Sequence, residues 1–306
     1  MFLEVEMFKV FFYDAQGLIR EYACTIKGKK NHPNEDRFVV SKRLETSLPM
    51  PNSTDFQSAS LYAVIDGHGG SGCAEHIFET LETKIAETES LKKITMDNTL
   101  YFMCEALEHG LIKVEEEFLK ICKNTNDTSG AVIVVAIELA GWLCVANIGD
   151  SEAMLLDHRG KQVKMSTMHS SRNPKEILRI KKTGARIRNG YIMNKLQPSR
   201  TIGDSDIKQI TSKVILAKPV IHVTHLKKHK EGTGSLILAC DGFWDIGKRK
   251  AGKFISKHVE FWAKCVREEN MQAYHEAGYI DPANSLAEFA KKNGSRDDIT
   301  VVFVKF

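Results

Sequence analysis

Four acidic positions in this chain stand where a strand-like run meets a turn. Asp66 closes the apolar run Leu61-Tyr-Ala-Val-Ile65 and is followed by Gly67-His68-Gly69-Gly70. Asp241 follows Leu236-Ile-Leu-Ala-Cys240 and precedes Gly242. Glu35-Asp36 leads into Phe38-Val-Val40, and Asp297 leads into the run from Ile299 to Phe306. An apolar run bounded by glycine reads as a buried strand, and its exit is where a side chain can leave the core. Glycines beside it permit tight turns and a close approach of ligand to backbone. In a packed sheet such ends can converge on one edge, and carboxylates brought together repel unless a cation neutralises them. An oxygen-only cluster, without cysteine and with little histidine, suits hard ions such as Mg²⁺ or Mn²⁺. Two such ions would suit activation of water and an in-line displacement at phosphorus. Spacing alone leaves a plainer reading open: four unrelated turns with acidic residues at capping positions.

The elements that must position these groups are legible from periodicity. From Met1 to about Cys24 apolar and polar residues alternate as in opening strands, and residues 43–58 are Ser-, Thr- and Pro-rich, the composition of a surface loop. Ala74, Ile77, Phe78, Leu81 and Ile85 predict a helix from Cys73 to about Glu87. Leu100, Met103, Leu107, Leu111, Val114 and Phe118 predict a second from Asp97 to Lys123. The nearly continuous apolar stretch Ala131–Ala146 is short for a bilayer crossing and is interrupted by Glu138 and Gly141. It is better explained as two buried strands, Ala131–Ile137 and Trp142–Asn147, joined by a hairpin turn. Another helix is expected over Pro174–Thr183, and helical text runs from about Gly252 to Asn293 with a break near Gly278–Pro282. Strands gathered in hairpins, rather than alternating with helices, predict an α+β fold built on mostly antiparallel sheet with packed helices.

Composition narrows the function classes. The 306 residues can bury a large core, and 43 Lys+Arg against 39 Asp+Glu leave a net charge of +4, too mild to argue for nucleic acid. Seven cysteines include no C-x-x-C pair and read as reduced core thiols. Glu4 and Glu6 interrupt the first apolar run, which argues against a signal peptide. A monomer of the cytosol or nucleus, without membrane or nucleic-acid partners, is therefore expected. The basic stretches Lys175–Arg188, Lys227–Lys230 and Lys248–Lys253 read as solvated faces, although they could attract acidic phosphoproteins.

Six motifs in order carry a resemblance. They are Asn34-Glu-Asp-Arg37, Val64-Ile-Asp-Gly-His-Gly-Gly70, Ala146-Asn-Ile-Gly-Asp-Ser151, Ser199-Arg-Thr-Ile-Gly-Asp204, Asp241-Gly-Phe-Trp-Asp245 and Gly294-Ser-Arg-Asp-Asp-Ile-Thr300. In that order they resemble the PPM/PP2C metal-dependent protein serine/threonine phosphatases, over roughly residues 20 to 306. The resemblance implies a single phosphatase domain over residues 1–306, with two packed antiparallel sheets flanked by helices. It further implies that Asp66 bridges two Mg²⁺ or Mn²⁺ ions, that the Gly67 carbonyl binds one, and that Asp241 and Asp297 bind the other. Glu35 and Asp36 match the acidic pair that holds metal-bound waters, and Asp127 matches a weaker third metal site. His68 matches the general acid that protonates the leaving serine or threonine oxygen. The implied reaction is direct attack of metal-bound hydroxide on a phosphoprotein, with no phosphoenzyme.

The chain departs from the family pattern at several places. Asn31 stands where relatives carry an arginine that grips the substrate phosphate, and asparagine has neither the charge nor the fork of donors. Lys29, Lys30 or His32 are the candidates to replace it. Met168 takes the place of the aspartate in an Asp-His pair, leaving His169 alone. Glu152 replaces a common arginine, and Gly130-Ala-Val replaces Gly-Ser-Thr. Every expected direct metal ligand is retained. Two readings follow: a phosphatase with a weakened phosphate grip, or an inactive relative that serves as an interaction module. Asp150 and Asp204 are expected to order loops, Arg200 to make a structural ion pair, and Phe243 and Trp244 to be core aromatics.

Overall fold

The computed structural model describes residues 7–13, 19–29, 31–44, 59–95, 97–157, 160–211, 213–226, 234–265 and 281–306. Lys30, the run 227–230 and most of the predicted loop over 43–58 lie outside them, while residues 43–44 belong to a strand. Two largely antiparallel sheets carry the fold. The first runs β1 (Met7–Tyr13), β2 (Ile19–Ile26), β14 (Ile299–Lys305), β13 (Ser235–Ala239), β7 (Glu152–Leu156), β8 (Gln162–Lys164). The second runs β12 (Val220–His225), β6 (Trp142–Ile148), β5 (Gly130–Leu139), β4 (Ala59–His68), β3 (Arg37–Leu44), with the short β11 (Ile202–Gly203) on β5. Helices α1 (Gly72–Ala86), α2 (Glu89–Lys92) and α3 (Thr99–Thr125) cover the second sheet. The turn α6 (Asp241–Trp244) and helices α7 (Lys248–Cys265) and α8 (Pro282–Lys292) cover the first. A smaller unit holds α4 (Pro174–Lys182), the hairpin β9 (Ile187–Arg188) and β10 (Tyr191–Ile192), and α5 (Ser205–Ile210) around Ile180, Ile192, Ile207, Val214 and Ile215.

Side chains alternate across a strand, and this period of two sorts the core into layers. In β4, Leu61, Ala63 and Ile65 pack under α1 and α3, whereas Tyr62 and Val64 face the other sheet. Partners from the opposite sheet are Leu236, Leu238 and Cys240 of the β13 run and Val302 and Val304 of β14. The outer layer buries Trp262, Leu286 and Ala290 against Tyr22 and Phe303. Phe243 and Trp244 belong to this layer, so they are core aromatics as expected, and Trp244 Nε1 donates to the Ala239 carbonyl at 3.1 Å.

The predicted hairpin is present as β5 and β6, turning at Ala140-Gly141, both with positive φ. The predicted helices correspond to α1, α3 and α4 within two residues at each end. The late helical text starts earlier than expected, at Lys248, because Gly247 adopts φ 97° and stops the preceding turn. Strand β12 and the β9–β10 hairpin were not anticipated, although Asn189-Gly190, both with positive φ, is the strongest short hairpin signal a sequence can carry. Among the described residues no helix is long and apolar enough to cross a membrane.

Candidate metal centre and active site

Strand parity explains why distant acids meet. Asp66 continues the inward face of Tyr62 and Val64, and Asp36 continues that of Phe38 and Val40. Thr300 and Asp298 share the inward face of Val302 and Val304. Asp66 therefore stands near the exit of β4, and Asp36 and Asp298 stand one residue before β3 and β14. Asp66, Gly67, His68, Asp150, Asp204, Asp241 and Asp297 line one cleft of about 450 Å³. Asp36 and Asp66 present carboxylate oxygens within 4.8 Å of each other and of Cys240 Sγ.

The sulfur corrects the expectation of an oxygen-only cluster. Cys240 is the residue before Asp241 and is inward by the same alternation. It is already committed to the fold: Thr300 N–H donates to its Sγ at 3.1 Å, and Sγ reaches the Asp298 carbonyl at 3.4 Å. Burial, reinforced by Asp36 and Asp66, pushes its thiol well up and keeps it protonated. The groups left to bind a cation are carboxylates.

Those carboxylates are costly in the absence of one. Burial raises the Asp66 carboxyl well above its usual range, and Asp241, Asp36, Asp150 and Asp297 push in the same direction. Asp36 is pushed up to about 8 by burial and by Asp298, against a 2.7 Å hydrogen bond donated by Thr300 Oγ1. Asp150 is raised by burial and by Asp241. Asp150 was expected only to order a loop; its place in the cleft comes from the Gly149 turn, which a sequence does not aim. Several anionic groups, buried and mutually repelling, fit a site that divalent cations neutralise.

A supporting network fixes the acids. Asp298 accepts from Gly28 N at 2.7 Å and Glu35 N at 3.0 Å, tying β14 to the segment before β3. Asn34 Nδ2 donates to Thr25, which shares a 2.7 Å hydrogen bond with Thr300. Glu35 Oε1 accepts from Gly70 N at 2.8 Å. Gly67 is required here, because a Cβ would lie 2.6 Å from the Glu35 carbonyl. Arg37 of the same motif bonds Glu75 at 2.7 Å and the carbonyls of Asn34 and Asp36, holding α1 to this edge.

His68 has a partner that sequence reasoning did not assign. Its Nε2 lies 3.0 Å from Asp204 Oδ2, a carboxylate only 4% exposed. Asp204 takes φ 51°, a conformation disfavoured for a side chain with a Cβ, and is pinned by its N–H donating to the Ser129 carbonyl at 3.0 Å. Gly130 makes the contact sterically possible, since a Cβ there would overlap both His68 Nε2 and the Asp204 carboxylate. A carboxylate only accepts, so Nε2 carries the hydrogen in this contact and Nδ1 is the nitrogen left to deliver a proton. Asp204→Asn should cut kcat on a phosphoserine peptide about 10- to 100-fold. Its effect on an aryl phosphate, whose leaving group needs no proton, should be much smaller. Equal losses on the two substrates would remove His68 from leaving-group protonation.

The remaining candidates among the described residues are not part of the cleft's lining. Asp127 accepts from Ser129 N at 2.8 Å and packs against Gly72 at the start of α1. His32 Nδ1 is 2.8 Å from the Pro33 carbonyl and 3.7 Å from Glu35 Oε2, and Asn31 is exposed. Lys30, the other expected phosphate contact, lies outside the described residues. His169, lacking the aspartate that Met168 replaces, is buried with Nδ1 3.3 Å from Gly149 N. Burial and Arg200 lower its imidazole to about 3, so it is a neutral structural group. Arg200 makes the expected structural pair, 2.7 Å from Glu176, which also accepts from Arg179 and Ser199. Arg179 is thereby removed from the basic stretch read as a solvated face. Glu152 pairs with Lys164 and Lys248, each at 2.8 Å.

This fold and site define a protein serine/threonine phosphatase of the metal-dependent class. A family profile for "Protein phosphatase 2C" matches residues 23–299, and the chain belongs to that family. It is 28% identical over 283 residues to probable protein phosphatase 2C 57 of Oryza sativa subsp. japonica, covering 90% of this chain and 69% of that protein. Protein phosphatase 1L of Bos taurus is 28% identical over 289 residues, covering 92% of this chain and 71% of the relative. The fold is similar to that of a serine-threonine phosphatase 2C from Toxoplasma gondii, with TM-score 0.72 and 22% identity over 98% of this chain and 99% of the other.

Proposed function

We propose that this chain hydrolyses phosphoserine and phosphothreonine in proteins using two Mg²⁺ or Mn²⁺ ions, with Asp127 beside a weaker third. The observation that carries the proposal is the convergence of Asp66, Asp241 and Asp297 in one cleft with Asp36 buried alongside. Asp66, the Gly67 carbonyl, Asp241 and Asp297 would hold the ions, with Glu35 and Asp36 fixing their water ligands. Bound there, the ions would supply a water made acidic enough to attack near neutral pH and would neutralise phosphate charge. The chain's own contribution to leaving-group departure is His68, oriented through Asp204, because a serine or threonine alkoxide leaves poorly unless protonated. The sandwich shields Asp36, 3% exposed, whereas Asp66, Asp241 and Asp297 are partly exposed in the cleft, where a cation can enter.

Purified protein should release phosphate from a phosphothreonine peptide only when Mn²⁺ or Mg²⁺ is added; absence of release at saturating metal would instead support the inactive interaction module. That second reading draws on Asn31, an exposed and uncharged residue where a phosphate clamp is expected. If the missing charge limits substrate binding, Asn31→Arg should lower KM about three- to tenfold with little change in kcat. An unaltered KM would mean that another residue already supplies the contact.

A further inference from the structure

The cleft is lined by Asp66, Asp150, Asp204, Asp206, Asp241 and Asp297, and among the described lining residues it has a single lysine or arginine, Lys195. Lys195 belongs to the wall contributed by the small α4–β10 unit, together with Tyr191, Gln197 and Pro198. Its side chain is 54% exposed, which puts it at the rim, whereas Asp204 on the floor is 4% exposed.

The wall is built to hold this lysine in place. Lys195 follows a two-residue turn in which Met193 and Asn194 both have positive φ, 51° and 60°. That conformation suits asparagine but strains methionine. The turn persists because Lys195 N–H donates to the Ile192 carbonyl at 3.0 Å, Ile192 N–H donates to Leu196 at 2.7 Å, and Ile192 is buried in the small core. Strain retained by surrounding structure is a feature of functional sites. From this mount Lys195 Nζ spans to Asp206 Oδ2 at 2.5 Å, in the first turn of α5. An ammonium has three donors, and this contact uses one. Beside it Tyr191, 42% exposed, accepts a 3.1 Å hydrogen bond from Gln197 Nε2, giving an apolar ring next to an amide against which an extended backbone can lie.

We propose that Lys195 is a specificity residue that binds the carboxylate of an aspartate or glutamate flanking the phosphorylated residue of the substrate. This rests on the phosphatase reading above. The rim position favours a flanking group over the reacting phosphate, which must reach the carboxylate floor. With cations neutralising the floor, the charge left at the rim is the Lys195–Asp206 pair, and Lys195 is its one member that can attract a flanking carboxylate.

The test uses two phosphothreonine peptides differing only in flanking glutamates replaced by glutamines, assayed with Mn²⁺. Wild type should favour the acidic peptide about three- to tenfold in kcat/KM, through KM, with the preference fading as salt is raised. Lys195→Gln should bring the ratio between the peptides to near or below one, and Lys195→Arg should restore it. Equal treatment of the two peptides by wild type would overturn the inference, as would a Lys195→Gln loss of the same factor on both. The latter would assign Lys195 to the reacting phosphate or to folding. Lack of turnover on any peptide defeats the phosphatase reading, and the carboxylate contact of Lys195 is then read by binding instead. Fluorescence anisotropy of the labelled peptides on wild-type and Lys195→Gln protein with Mn²⁺ then reads the same acidic-to-neutral ratio and its dependence on Lys195, and a ratio near one for wild type overturns the inference.

Discussion

Asp66→Asn should lower metal-dependent phosphate release on the order of 10³-fold, equivalent to about 4 kcal/mol of barrier. The carboxylate sits where both sheets present acids, and an amide cannot supply the negative charge that holds two cations together. The loss should appear in kcat rather than in substrate binding alone. A second readout separates lost metal from lost structure. Mn²⁺ should raise the melting temperature of wild type by mass action on the folded state and raise that of the variant far less. Without metal the variant should be at least as stable as wild type, because a neutral amide escapes both the burial cost of the Asp66 carboxylate and its repulsion by Asp241, Asp36, Asp150 and Asp297. A variant that melts well below metal-free wild type, or that retains full turnover, would refute the assignment of Asp66 as the central ligand.

The second large effect is a reversal in the pH dependence of stability. Burial and Asp298 raise Asp36 to about 8 in the fold, against an unfolded value near 4. A carboxyl raised on folding contributes stability that is fully present below its unfolded pKa and is lost as pH rises through the folded one. Metal-free protein should therefore lose stability between about pH 6.5 and 8, at up to ~1.4 kcal/mol per pH unit for one such group. Asp66 and Asp150 are shifted the same way and add to the trend. His169, lowered to about 3 by burial and Arg200, loses its stabilising effect only as pH falls below its unfolded value near 6.5, outside this window. Bound Mn²⁺ holds the carboxylates ionised, so saturating metal should flatten or invert the slope, and apparent metal affinity should tighten as protons cease to compete. Melting curves in chelator and in Mn²⁺ across this range, with calorimetric detection of released protons, measure both effects. A metal-free melting temperature that climbs from pH 6.5 to 8 would contradict a repulsive carboxylate cluster.

The acids themselves were evident in the sequence because each adjoins an apolar run and a turn. The apolar run Leu61–Ile65 alone places Asp66 at a strand exit, and the order of six motifs identifies the family. Helices α1 and α3 and the β5–β6 hairpin were equally plain, since local periodicity is enough to specify them. What pairs with what was not. The contact of His68 with Asp204 joins residues 136 positions apart, and it depends on a left-handed backbone at Asp204 and the missing Cβ of Gly130. The inward turn of Asp150, the sulfur of Cys240 beside the carboxylates, and the wall carrying Tyr191 and Lys195 are likewise products of packing. Local sequence determined which residues end each strand and on which face they stand. Only the stacking of two sheets decided that those ends coincide, because burial in a shared low-dielectric edge turns separate aspartates into one cation site.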